Sequence, residues 1–160
     1  MRARSIPALM IALVFYSTAC LSNPMLKTES DAARIHMLER ALAPETAEGA
    51  ANLFALANKN RNGAVQFMLF SQALKEKYKE AWPSWVSGTS SPWITSYTIK
   101  KTVEKSNVWQ FEITYQWATS SGPFNPPLVQ TVQIEPVPEN SDSSQQFLIT
   151  SLEEKPWIRR

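Results

Sequence analysis

Few side chains in this chain could carry out chemistry: one cysteine, Cys20, one histidine, His36, and two aspartates, Asp31 and Asp142, in 160 residues. A thiol can be acylated or act as a nucleophile, and Cys20 directly follows the small residues Ser17-Thr18-Ala19. General acid–base work needs a positioned partner for each proton-transfer group. His36 lies in a predicted helix with a solvent-facing role, Asp31 precedes the main domain, and Asp142 falls in a polar turn, so no catalytic residue is assigned. One histidine with no cysteine beyond Cys20 excludes the usual zinc constellations, and no metal site or cofactor is expected. The four glycines, Gly49, Gly63, Gly88 and Gly122, are scattered and form no phosphate-cradling loop. Among the glutamates, Glu112 alternates away from the apolar face of its strand, while Glu104 and Glu135 sit at strand ends on polar faces. Glu153 is the one that could turn inward, although the surface is its expected place because unpaired carboxylates are seldom buried.

Aromatic residues are the other resource, with six Trp, four Tyr and seven Phe. Tyr97, Trp109, Tyr115 and Trp117 are expected to share one concave face, where rings with polar tips could hold a hydrophobic or sugar-like ligand. The same rings are also what a disulfide-free domain needs to fill its core, and packing is the stronger reading for this cluster. Trp82, Trp85 and Trp93 surround a loop rich in Gly, Pro and Ser and form a candidate partner-binding patch, the alternative being packing at the domain's rim.

The elements that place these residues begin with an N-terminal signal. Arg2-Ala3-Arg4, the apolar run from Ile6 to Tyr16 and the small residues before Cys20 have the three parts of a secretory signal. The run falls short of the about 20 apolar residues that span a bilayer. Ala19-Cys20 resembles the lipobox of bacterial lipoproteins, in which the cysteine sulfur receives a diacylglycerol and the chain is cut just before it. Ser17 stands where that family usually has Leu or another aliphatic residue. Ser17 and Ala19 also suit ordinary signal peptidase, so secretion without lipid and an uncleaved anchor stay open. Residues 1–19 are read as the signal peptide, 20–29 as a tether, 30–43 as a leading amphipathic helix and 44–160 as the domain.

Removing Arg2 and Arg4 from 16 Lys and Arg leaves as many basic as acidic residues, 14 of each. The precursor's formal charge of +2 therefore says nothing about nucleic acid, and none is expected as a partner. Lys75, Lys77 and Lys79 interleave with Glu76 and Glu80 in the manner of a solvated helix face.

The leading helix starts at Ser30-Asp31 and carries Ile35, Leu38 and Leu42 at helical spacing. A second has Pro44 in its first turn and Ala50, Leu53, Phe54 and Ala57 on one face, and the Asn- and Gly-bearing run 58–63 stops it. Residues 64–70 form a short buried helix, and Ser71 caps a further one over 72–80. From Trp93 the period changes to that of strands. Trp93, Tyr97, Ile99 and Val103 share a face of the first strand, and 105–107 turn into the second. There Trp109, Phe111, Ile113, Tyr115 and Trp117 alternate with polar residues, the strongest periodic signal in the chain. A third strand spans 128–135 after interruptions at 120–123 and 125–127, and a fourth spans 147–153. Short turns favour an antiparallel meander, so the fold class is α+β with N-terminal helices packed on a curved antiparallel sheet of about four strands.

The segment from Ala47 to Ser71, a long helix, a small polar turn and a short helix ending in Leu69-Phe70, resembles the opening of NTF2-like (SnoaL-like) domains. That resemblance implies a sheet wrapped round the long helix as a cone with an internal pocket. Residues 59–63 and 85–93 also look like small extracytoplasmic domains of Gram-positive bacteria. Some NTF2-like members are isomerases or dehydratases, with an Asp or His proton acceptor and a Tyr or protonated Asp oxyanion donor. Taken together, the expectation is a lipoprotein tethered to the membrane through Cys20, acting as a binding or accessory module at the cell envelope. The expected partners are the membrane and an envelope protein or small apolar ligand. A small-molecule isomerase or lyase using the pocket is the alternative, and a homodimer formed through the sheet is a third reading.

Overall fold

The structure, a computed structural model, describes residues 24–80, 92–141 and 143–155. Cys20, the signal segment, Trp82, Trp85 and Asp142 lie outside the described residues. Among the described residues four helices, α1 (Pro24–Ala41), α2 (Ala47–Lys59), α3 (Gly63–Met68) and α4 (Gln72–Tyr78), precede four strands, β1 (Trp93–Lys105), β2 (Val108–Thr119), β3 (Gly122–Pro136) and β4 (Phe147–Glu154). The strands form one antiparallel sheet in the order β1-β2-β3-β4. This is the α+β layout read from the change of period.

The first helix begins at Pro24, within the stretch expected to be a tether, and runs through Ser30 and Asp31. Proline suits the first helical position because its missing N–H would be unpaired there anyway. Pro44 instead precedes α2, whose N-cap is Thr46, with its hydroxyl accepting from the Gly49 N–H at 2.9 Å. Alanines 47, 50, 51, 55 and 57 are buried, so α2 lies close against the sheet, with Phe54 filling the space between. Its C-terminus is closed by two bonds, Asn62 N–H to the Ala57 carbonyl at 2.8 Å and Arg61 N–H to that of Asn58 at 3.0 Å. Arg61 takes the left-handed conformation between them at φ 54°, where an Asn or Gly was expected. Asn62 then caps α3, and Ser71 caps α4 as the sequence suggested. Between these caps, Leu69 and Ser71 bond the backbone of Ile149, covering part of the β4 edge.

Phe111, Ile113 and Tyr115 of β2, Val132 and Ile134 of β3 and Ile149 of β4 are buried together under α2 and the α3–α4 segment. The outward alternation of Gln110, Glu112 and Thr114 holds as well, so one face of β2 is packed and the other is partly exposed. The β1–β2 hairpin turns through Ser106 and Asn107, both at positive φ, as a two-residue hairpin turn matched to strand twist requires.

Register shifts account for most departures from simple alternation, since one extra residue turns every later side chain to the other face. In β1, shifts at Thr95 and Thr102 put Trp93 opposite Ala118 and Val103 opposite Gln110, so neither shares the inner face with Tyr97 and Ile99. The second shift also brings Glu104 opposite Trp109, on the inner rather than the polar face. In β4, a shift at Thr150 leaves Glu153 opposite Thr131 and exposed, and Glu154 opposite Gln130. The third strand begins at Gly122, six residues before its expected start, because a shift between Tyr115 and Trp117 accommodates Asn125-Pro126-Pro127 without ending the pairing.

Candidate functional site

Of the four aromatic residues expected to line one ligand face, the sheet brings two together. Tyr97 and Tyr115 are directly paired across β1 and β2, with ring centroids 6.2 Å apart at 56°. Trp109 and Trp117 lie at opposite ends of β2, about 26 Å apart at about 3.3 Å per residue, so no small ligand touches both. Trp117 is half-buried beside Ile94 and Phe124, its partners in the pairing.

At the tyrosine pair the inner face turns polar. Tyr115 is wholly buried, and its hydroxyl has no hydrogen-bond partner. Burial pushes its pKa well above the usual tyrosine value; the nearby Asn58 amide, close to the hydroxyl but outside hydrogen-bond geometry, opposes this, while Tyr97 and Glu154 add to it. Burial thus favours the neutral phenol over the phenolate at Tyr115. Beside it, Asn58 Nδ2 donates to Gln130 Oε1 at 3.4 Å, and Gln130 Nε2 donates to Glu154 Oε1 at 3.1 Å. This string runs from α2 through the buried Gln130 to the exposed carboxylate of Glu154.

Asn58, Gln130 and Glu154 were not singled out from the sequence. Gln130 carried a usable signal, a polar residue in step with Val132 and Ile134, and Asn58 lies four residues beyond Phe54 on the buried side of α2. Glu154 could not be found by alternation, because the shift at Thr150 changes the parity of the strand. Glu154 is the inward carboxylate nearest this pair in register, but it is exposed and bonds Gln130 rather than a tyrosine.

Trp109 belongs to a second cluster near the β1–β2 turn. Its ring packs edge-on against Phe147 at 5.7 Å, and its Nε1 donates to Glu104 Oε1 at 3.1 Å. Lys101 Nζ bridges Glu104 Oε2 at 2.8 Å and Glu48 Oε1, on the first turn of α2, at 3.0 Å. The Lys101 ammonium holds both carboxyls below their ordinary value, with Trp109 adding to the effect on Glu104, and the two carboxylates, Glu104 first, raise the pKa of Lys101. Each charge is answered within the cluster, and what it does is clamp the start of α2 to β1.

His36 and Asp31 are exposed on α1, with Asp31 3.5 Å from Arg34. Among the described residues, no group of three or more His, Cys, Asp and Glu is placed to hold a metal ion. Also among the described residues, no helix is long and apolar enough to cross a membrane. No family model, no curated protein and no solved structure matches this chain.

Proposed function

We propose that this protein is a lipid-anchored extracytoplasmic protein of the bacterial cell envelope, and that its NTF2-like α+β domain acts as a binding or accessory module. The observation that carries this reading is Cys20, placed directly after Ser17-Thr18-Ala19 at the end of a charged and then apolar signal. The chemistry of the inner face supports a module over a catalyst. The tyrosine pair has a buried neutral phenol on one side and an exposed, amide-bonded carboxylate on the other, and among the described residues no base is aimed at a point common to both. Tyr97, half-buried beside the sealed Tyr115, is the ring of this pair that a ligand or partner would touch first.

Lipid attachment is tested by labelling the full chain with radioactive palmitate in bacteria that process lipoproteins. Label on the native chain and none on Cys20→Ser is the expected result. An unlabelled native chain, or label that survives Cys20→Ser, would overturn the anchor. Affinity capture of envelope proteins by the native lipoprotein, compared with a Tyr97→Ala variant, then tests the module: capture lost with Tyr97→Ala places the contact at this pair.

A further inference from the structure

Four of the seven large apolar side chains exposed among the described residues, Ile35, Met37, Leu38 and Leu42, belong to α1 or the residue just after it. Their exposures are 57%, 69%, 65% and 48%. At 18 residues α1 is about 27 Å long, and it is exposed along nearly all of its described side chains. It is held to the sheet domain near its C-terminal end, where Gln145 Nε2 donates to the Glu39 carbonyl at 2.9 Å and Ser144 Oγ to Glu39 Oε2 at 3.1 Å. In proteins most of a helix's stability comes from packing an apolar face rather than from propensity alone. The apolar side chains of α1 thus call for a cover.

We propose that α1 pairs in parallel with α1 of a second copy of this chain, through a short seam of Ile35, Leu38 and Leu42. The spacing of three and then four residues is that of coiled-coil positions a, d and a. A β-branched residue at a followed by Leu at d is the combination that favours two parallel strands. Charge then selects the hand. Arg34 takes the g position before the seam and Glu39 the e position within it, so a parallel pair sets Arg34 against the partner subunit's Glu39, twice by symmetry, through the carboxylate oxygen that Ser144 does not occupy. An antiparallel pair would set g against g and e against e, bringing like charges together. The Arg34 side chain is 75% exposed and accessible to a partner, with Asp31 3.5 Å away in the same helix. Asp31 occupies the preceding d position and ends the seam on that side, so the contact is small and belongs with weak, transient interfaces. Two chains anchored through Cys20 to one membrane would also run parallel, but the seam does not depend on that anchorage.

The test is oxidative cross-linking of single-cysteine additions to the full chain, read both in whole producing cells and in their culture medium, so that the result stands whether or not the chain is anchored. The parent chain and Met37→Cys, on the side of α1 away from the seam, give the background that includes Cys20. Ile35→Cys, Leu38→Cys and Leu42→Cys should each form covalent dimers well above that background, and adding Arg34→Glu to Leu38→Cys should lose them. All four positions are exposed, so these changes leave the sheet domain folded. Dimers at background level at all three seam positions, or equal yields at Met37, would overturn the seam. Cross-linking of Ile35→Cys only when mixed with Leu42→Cys would overturn the parallel hand.

Discussion

Tyr97 and Tyr115 face one another across two strands with ring centroids 6.2 Å apart, yet one keeps contact with solvent while the other is sealed with an unpaired hydroxyl. A buried donor without a partner loses its bonds to water and regains nothing, at a cost of about 1–3 kcal/mol. The chain retains this phenol at a position where phenylalanine would fill nearly the same volume.

Replacing Tyr115 with Phe should therefore leave stability unchanged within about 1 kcal/mol or raise it, because no intramolecular hydrogen bond is lost. Binding at Tyr97 should survive. If the pair were instead an oxyanion site, the same change would lower turnover by about 100-fold or more. Denaturant titration of the two proteins checks the first outcome, and a clear destabilisation would show that the hydroxyl is paired in solution.

The two faces of β2 give a second expectation. Phe111 and Ile113 are 1% and 0% exposed beneath α2 and the α3–α4 segment, and truncating either to Ala should cost about 2–5 kcal/mol through the cavity left behind. Gln110→Ala, on the opposite face, should change stability by less than about 0.5 kcal/mol. Glu112 lies on that same face and is bonded by Lys155 Nζ at 2.6 Å, so Glu112→Ala should show a salt-sensitive effect that Gln110→Ala lacks. Equal losses from Phe111→Ala and Gln110→Ala in matched urea titrations would mean that both faces are covered.

What could be read in advance follows from where periodicity is intact. Residues 109–115 pair with β3 without a shift, and there the buried and open faces of β2 match expectation. Ser71 likewise announced its helix, since a cap needs only its own hydroxyl and one nearby N–H. The misplaced residues lie beyond register shifts. Trp93, Val103, Glu104 and Glu154 each sit past an extra residue at Thr95, Thr102 or Thr150, and no composition signal marks those threonines as bulges. The Asn58–Gln130–Glu154 string was hidden for the same reason, because it joins a helix to two strands whose relative register is set by tertiary pairing.

The clamp between α2 and β1 predicts a pH dependence of both signs. Glu48 and Glu104 have folded pKa values below the ordinary 4.5, because the ammonium of Lys101 bonds the carboxylate form of each. A lowered carboxyl pKa adds stability that is complete above the unfolded value and is lost as pH falls through the folded one. Lys101 is shifted upward from 10.5, by Glu104 first and Glu48 second, so its share is complete below 10.5 and is lost as pH rises through its folded value. The clamp therefore weakens in acid below about pH 4.5 and again in strong alkali, and is intact between. All three groups are largely exposed, so the effect should shrink as salt is added. Lys101→Met leaves the Glu104 bond to Trp109 but removes the ammonium shared by both carboxylates. Urea midpoints measured from neutral pH into acid should fall less steeply for Lys101→Met than for the parent, with the two curves converging in high salt. Parallel curves at low salt would mean that Lys101 does not hold the start of α2 to the sheet.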